Sequence, residues 1–155
     1  MAKATDGNCK PMTDANMAQA EWVARASNFT RFVGLQITHL ERGLCRSVLP
    51  SRPELLNQGG VIHGGLYAVV ADHTAGIAAS TIVPEGMRVV TAEYKLNLLR
   101  PGACDKLLTT GSIIKEGRRL IIGEAEVYGE MHDKNEKPKL LAKALFTFAV
   151  VPKAD

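Results

Sequence analysis

The chain has little with which to cross-link itself. Its three cysteines, Cys9, Cys45 and Cys104, are odd in number and show no CxxC spacing. They suggest neither a disulfide framework nor a zinc site, and a reducing, cytoplasmic setting fits such usage best. Charge of one sign is also scarce. The formal net charge is +3 with no long Lys/Arg run, so nucleic acid has little support as a partner. The opening stretch MAKATDGNCK has no apolar core, and no secretory signal is expected there. Long apolar runs are missing too, apart from residues 61–83. That run carries His63, Asp72 and His73 among many Gly and Ala, which argues against a membrane span. No internal repeat or low-complexity tract is present, and 155 residues suit one domain with a real core.

What is there centres on residues 57–80, NQGGVIHGGLYAVVADHTAGIAAS. Glycines and a histidine lead into a helix that is apolar nearly all round, and such a helix is normally buried. A carboxylate, Asp72, nevertheless sits in its middle, and a buried carboxylate is costly without a partner. At about 100° per residue, Gly65, Ala68, Ala75, Gly76 and Ala79 share Asp72's side, with Leu66, Tyr67, Val70, Thr74 and Ile77 opposite. One face is an anchor; the other is a floor of small residues holding one acid. That floor admits either a second backbone or a ligand.

Ahead of the helix, Asn57, Gly59, Gly60, His63, Gly64 and Gly65 form a loop feeding its N-terminus. Free N–H groups and the helix dipole there suit an anion or a polarised carbonyl oxygen. At about 1.5 Å per residue, Gly64 and Asp72 lie about 12 Å apart along the helix. Both cannot touch one reacting carbonyl from the same chain, so cooperation between them predicts a dimer with shared sites.

Elsewhere, Thr13 or Asp14 caps a predicted helix reaching about Phe29, with Ala18, Trp22, Ala26 and Phe29 along its packing side. Gly34 ends it. Residues 34–51 read as a hairpin turning at Arg42-Gly43, with His39 on the surface. Pro84 and Gly86 close the central helix. Residues 88–99 then alternate, Val90, Ala92, Tyr94, Leu96 and Leu98 against Thr91, Glu93, Lys95 and Asn97. Strands follow over 105–115, 119–130 and 139–151, the last burying Ala142, Ala144, Phe146, Phe148 and Val150. One long helix followed by consecutive antiparallel strands gives an α+β layer, a curved sheet around the helix.

HGGLYAVVAD has its histidine nine positions before the acid and an Asn six positions before that histidine. Together with the later NLLRPG and KEGRR, it resembles the hotdog-fold acyl-CoA thioesterases of the PaaI and 4-hydroxybenzoyl-CoA type. The resemblance covers residues 33–151, leaving 1–32 as a tail with a packing helix and 152–155 as a second tail. It implies a hotdog fold, a curved antiparallel sheet wrapped around a long central helix, in a homodimer or homotetramer with interface sites. It also implies hydrolysis of an acyl-CoA or aryl-CoA thioester, with coenzyme A as part of the substrate and neither metal nor separate cofactor.

Carried over residue by residue, the resemblance makes Asp72 the catalytic base or nucleophile. Gly64 becomes the N–H donor to the thioester oxygen, with Gly65 beside it at the substrate. Asn57 matches a polar residue holding the carbonyl or the water, though a lone Asn in such a loop is equally a turn former. His63 either buttresses the loop or simply caps the helix. Thr91 matches a family Ser/Thr that orients the water, although it lies on the polar side of its strand. Arg88, Arg100, Arg118 and Arg119, with Lys115, are candidates for the coenzyme A phosphates, and each also reads as a plain surface charge. Two other functions keep the same frame: a non-catalytic acyl-CoA-binding protein and a hydratase or dehydratase. The second needs a histidine facing the substrate with its acid, and neither His63 nor His73 clearly supplies it.

Overall fold

The computed structural model describes residues 13–131, 133 and 135–153. Helix α1 is Asp14–Ala26, and a short α2, Asn28–Val33, follows it. Strands β1 (Gln36–Glu41) and β2 (Leu44–Pro50) form the expected hairpin, with Gly43 at φ 73° in its turn. After a 3-10 turn at Pro53–Leu55 comes α3, Gly64–Ser80, then β3 (Met87–Leu98), β4 (Lys106–Lys115), β5 (Leu120–Glu130) and β6 (Lys139–Pro152). The six strands make one antiparallel sheet in the order β1-β2-β4-β5-β6-β3.

α3 lies across the concave side of this sheet, touching all six strands. The alternation of β4 to β6 explains why. Leu107, Ile121, Ala125, Val127, Ala142, Ala144, Phe146 and Phe148 are all turned inward and buried beneath the helix. Phe146 and Phe148 stack, centroids 5.5 Å apart and planes 10° apart, so two large rings fill the space that the curved sheet leaves. Where the sheet comes closest, β4 carries Gly111: a Cβ there would meet Ala75 Cα at 2.7 Å.

That contact corrects the expected floor of small residues. Ala75 and Ala79 are fully buried against the sheet, where their small size permits the close approach. The open stripe of α3 is instead Gly65, Ala68, Val69, Asp72, His73 and Gly76.

The N-terminal helix also differs from expectation. It breaks at Ser27, whose backbone turns extended and whose hydroxyl accepts from Thr30 N–H to cap α2. α1 packs with Ala20 against α3's Ile77 and Ala78, helped by Val23 and Ala24. Trp22 and Phe29 remain 69% and 56% exposed. Alanine lets two helices approach where Trp would hold them apart. Asn16 and Gln19 then tie α1 down, donating to Val83 O at 2.5 Å and Met87 O at 3.1 Å.

At one border of the sheet, β3 pairs only with β6 among the described strands. Its exposed side chains include Val90, Tyr94 and Leu98.

Candidate active site

The loop before α3 is held by its own backbone. Asn57 N–H donates to Val61 O at 2.8 Å and His63 N–H to Leu55 O at 2.9 Å. Asn57 Oδ1 accepts from Gly59 N–H at 2.8 Å, so its carbonyl shapes the turn. The RPG segment braces the loop from outside. Gly102 O accepts from Ile62 N–H at 3.0 Å, and Tyr67 Oη sits where a Cβ at residue 102 would have to go. A glycine is needed there for room.

His63 is the N-cap of α3, its Nδ1 accepting from Gly65 N–H at 3.0 Å. Gly65's N–H is therefore spent. Gly64's N–H makes no hydrogen bond among the described residues and stands at the positive end of the helix dipole. Gly64 lines a cavity of about 340 Å³ with Asn57, Tyr67, Leu98, Arg100 and Pro101. Arg100 donates to Leu140 O at 2.8 Å, which fixes it at that cavity's edge.

Two turns along, Asp72 opens into a different cavity of about 490 Å³, between α1, α3 and the start of β3. Thr91 Oγ1 donates to Asp72 Oδ1 at 2.7 Å. The other carboxylate oxygen accepts no hydrogen bond among the described residues. A carboxylate held by one oxygen and open at the other can take a proton from water or attack a carbonyl carbon. A register shift in β3 just after Thr91 departs from the simple alternation read from the sequence.

The two cavities share no lining residue. Of the sequence-derived candidates, Asp72, Thr91 and Arg88 meet in one, and Asn57, Gly64 and Arg100 in the other. His63 and Gly65 form the cap of α3. Arg118 and Arg119 are exposed beside the β4–β5 turn and line neither cavity.

Sequence reasoning weighed His73 only for a hydratase dyad, read Trp22 as a packing residue and gave Gln19 and Lys153 no role, yet all four line the Asp72 cavity. Burial pushes the His73 imidazole pKa down, against an opposing pull from Asp72. Its Nε2 is buried and has no hydrogen-bond partner. The adjacency of His73 to the acid was the available signal. Among the described residues, no group of His, Cys, Asp and Glu is arranged to hold a metal ion.

Known proteins resemble this chain in sequence and in fold. The family model of the thioesterase superfamily matches residues 59–134, which span the α3 cap, Asp72 and Thr91. A Saccharolobus solfataricus protein provisionally named an esterase is 31% identical over 90% of this chain and 95% of its own. The chain belongs to the thioesterase superfamily. Another relative, a medium/long-chain acyl-CoA thioesterase of Escherichia coli, is 22% identical over 79% of this chain and 84% of its own. A thioesterase family protein from Silicibacter pomeroyi superposes with a TM-score of 0.84 at 22% identity, covering 89% of this chain and 99% of that one. The sheet and helix of this superfamily member form a hotdog fold. No helix among its described residues is long and apolar enough to cross a membrane.

Proposed function

We propose that the chain hydrolyses acyl-CoA thioesters, with Asp72 as the carboxylate that acts on water or on the carbonyl. The observation that carries this reading is Asp72 itself, anchored by Thr91 through one oxygen and open at the other over a cavity. In the water route, Asp72 takes a proton while the water oxygen bonds to the thioester carbon. The carbonyl oxygen becomes an oxyanion, and collapse breaks the C–S bond and releases the coenzyme A thiolate, which regains the proton. Gly64 N–H at the head of α3 is the donor for that oxyanion. Coenzyme A enters as part of the substrate, and Arg88 and Arg100 stand at the two cavities where its phosphates could be met.

Because Gly64 and Asp72 open into separate cavities, the complete site requires a second copy, with the Gly64 end of one protomer facing the Asp72 end of its partner. The free edge of β3, with Val90, Tyr94 and Leu98 exposed on it, supports such pairing. A hydratase dyad is less well supported, since Asp72 bonds Thr91 and makes no hydrogen bond to His73 among the described residues.

A thiol-release assay over straight-chain and aryl-CoA thioesters tests the reading. Asp72→Asn is nearly isosteric but neither a base nor a good nucleophile, and it should lose at least ~10²-fold in kcat. Wild-type turnover in a folded Asp72→Asn protein would remove Asp72 from the chemistry, and no thiol release from any thioester by the wild type would leave only an acyl-CoA-binding role.

A further inference from the structure

α3 keeps one glycine beyond its first turn, Gly76. Glycine weakens a helix interior, so its presence there calls for a reason. The fold supplies none. Its φ is not positive, and a Cβ added to it would meet a single atom within 4 Å, Phe148 Cε1 at 3.9 Å. At Gly111 and Gly102 the space is taken, by the α3 backbone and by the Tyr67 hydroxyl. At Gly76 it belongs to the open cavity over Asp72.

Asp72, Gly76 and Ser80 line that cavity at successive turns of α3, over a span of about 12 Å. Trp22 and Val23 of α1, Val89 of β3 and Phe148 of β6 supply apolar walls. The polar side chains around them are largely engaged: Thr91 with Asp72, Gln19 with Met87 O, and Ser80 with Gly76 O at 2.9 Å. Arg88 and Lys153 stay exposed, and His73 Nε2 is closed to solvent.

We infer that Gly76 is a specificity-determining residue, whose missing side chain leaves the path for a straight acyl chain running along α3 from Asp72 toward Ser80. The inference rests on the thioesterase reading and narrows its substrate to straight acyl chains of medium length.

Length follows from the helix. Gly76 lies about 6 Å beyond Asp72 along α3. Bonds of about 1.5 Å advance an extended chain ~1.3 Å per carbon, so about the sixth carbon passes Gly76 and about the tenth reaches Ser80. Such a chain needs no hydrogen-bond partner, only apolar walls and room, and a side chain at residue 76 would stand in its way.

Butanoyl-CoA ends short of Gly76 and octanoyl-CoA runs past it, so the pair supplies the test. In the wild-type chain, kcat/KM should favour octanoyl-CoA by roughly fourfold per methylene, or ~10²-fold in all. Gly76→Val fills the space and forms helix no worse than glycine. It should cut that preference by at least ~10-fold, with Gly76→Ala in between. A residue that only shapes α3 would scale both substrates alike and leave the preference intact.

Titration calorimetry on Asp72→Asn makes the same comparison in Kd, without turnover. The octanoyl preference should appear there and shrink when Gly76→Val is added. If it does so while the wild type releases thiol from no thioester, the hydrolase reading falls and the role of Gly76 stands. A wild-type chain that treats both thioesters alike in kcat/KM and in Kd would overturn the inference. So would an octanoyl preference undiminished in Gly76→Val.

Discussion

Asp72 and His73 are neighbours in sequence, yet the fold sends them to opposite fates. Asp72 gains a hydroxyl from Thr91, whereas His73 gains only burial. The difference is measurable as pH dependence. Burial lowers the His73 pKa in the folded chain below its ordinary value of 6.5, more than Asp72 raises it. The unfolded chain therefore binds the extra proton first as pH falls, and protons drain stability from the fold below about pH 6.5. Urea midpoints measured at pH 8 and pH 5.5 should drop more for the wild type than for His73→Gln. Equal drops would mean that His73 takes up its proton as easily folded as unfolded. Asp72 was legible in the sequence because an acid in an apolar helix demands an explanation. His73 was not, because only the position of α1 decides whether that side of α3 meets solvent or a cavity wall.

The helix-on-sheet element turns on single atoms. Gly111 in β4 faces the α3 backbone so closely that a Cβ would sit 2.7 Å from Ala75 N and Cα. Neither partner is a flexible side-chain tip, so Gly111→Ala must push the helix off the sheet, costing about 1–3 kcal/mol or more. Gly76→Ala provides the contrast. Its Cβ would meet only Phe148 Cε1 at 3.9 Å, and it replaces a glycine inside a helix. It should leave stability unchanged or raise it by up to about 1 kcal/mol. Denaturant titration of the two variants side by side checks both, and a Gly111→Ala chain as stable as wild type would show the helix free to shift. The strands were legible because β4 to β6 alternate cleanly between core and surface. The orientation of α3 was only partly so. Ala75 and Ala79 look the same in sequence whether they leave room for a ligand or for a sheet, and Gly111, which decides between them, lies far along the chain.

At the scale of the whole molecule, the two ends of α3 open into separate cavities, so mixed oligomers should separate their proposed roles. Gly64 is the first residue of α3, a position where proline suits a helix, and the preceding His63 already has an extended backbone (φ −61°, ψ 133°). Gly64→Pro should therefore fold while losing the N–H offered to the oxyanion. The nearest atom to a Cβ there is the mobile tip of Leu98, at 3.3 Å. Co-refolded with Asp72→Asn, it should restore up to about a quarter of wild-type activity, since half of randomly formed dimers are mixed and each has one intact site. A mixture that demonstrably exchanges subunits and stays inactive would separate Gly64 from Asp72 in the chemistry. The same division of α3 changes what concentration means for this chain. If the site is assembled from two copies as proposed, turnover becomes a property of encounters, and activity per chain should fall on dilution below the dimer's dissociation constant. At low abundance, specific activity would then report how many partners are found as well as how good the chemistry is.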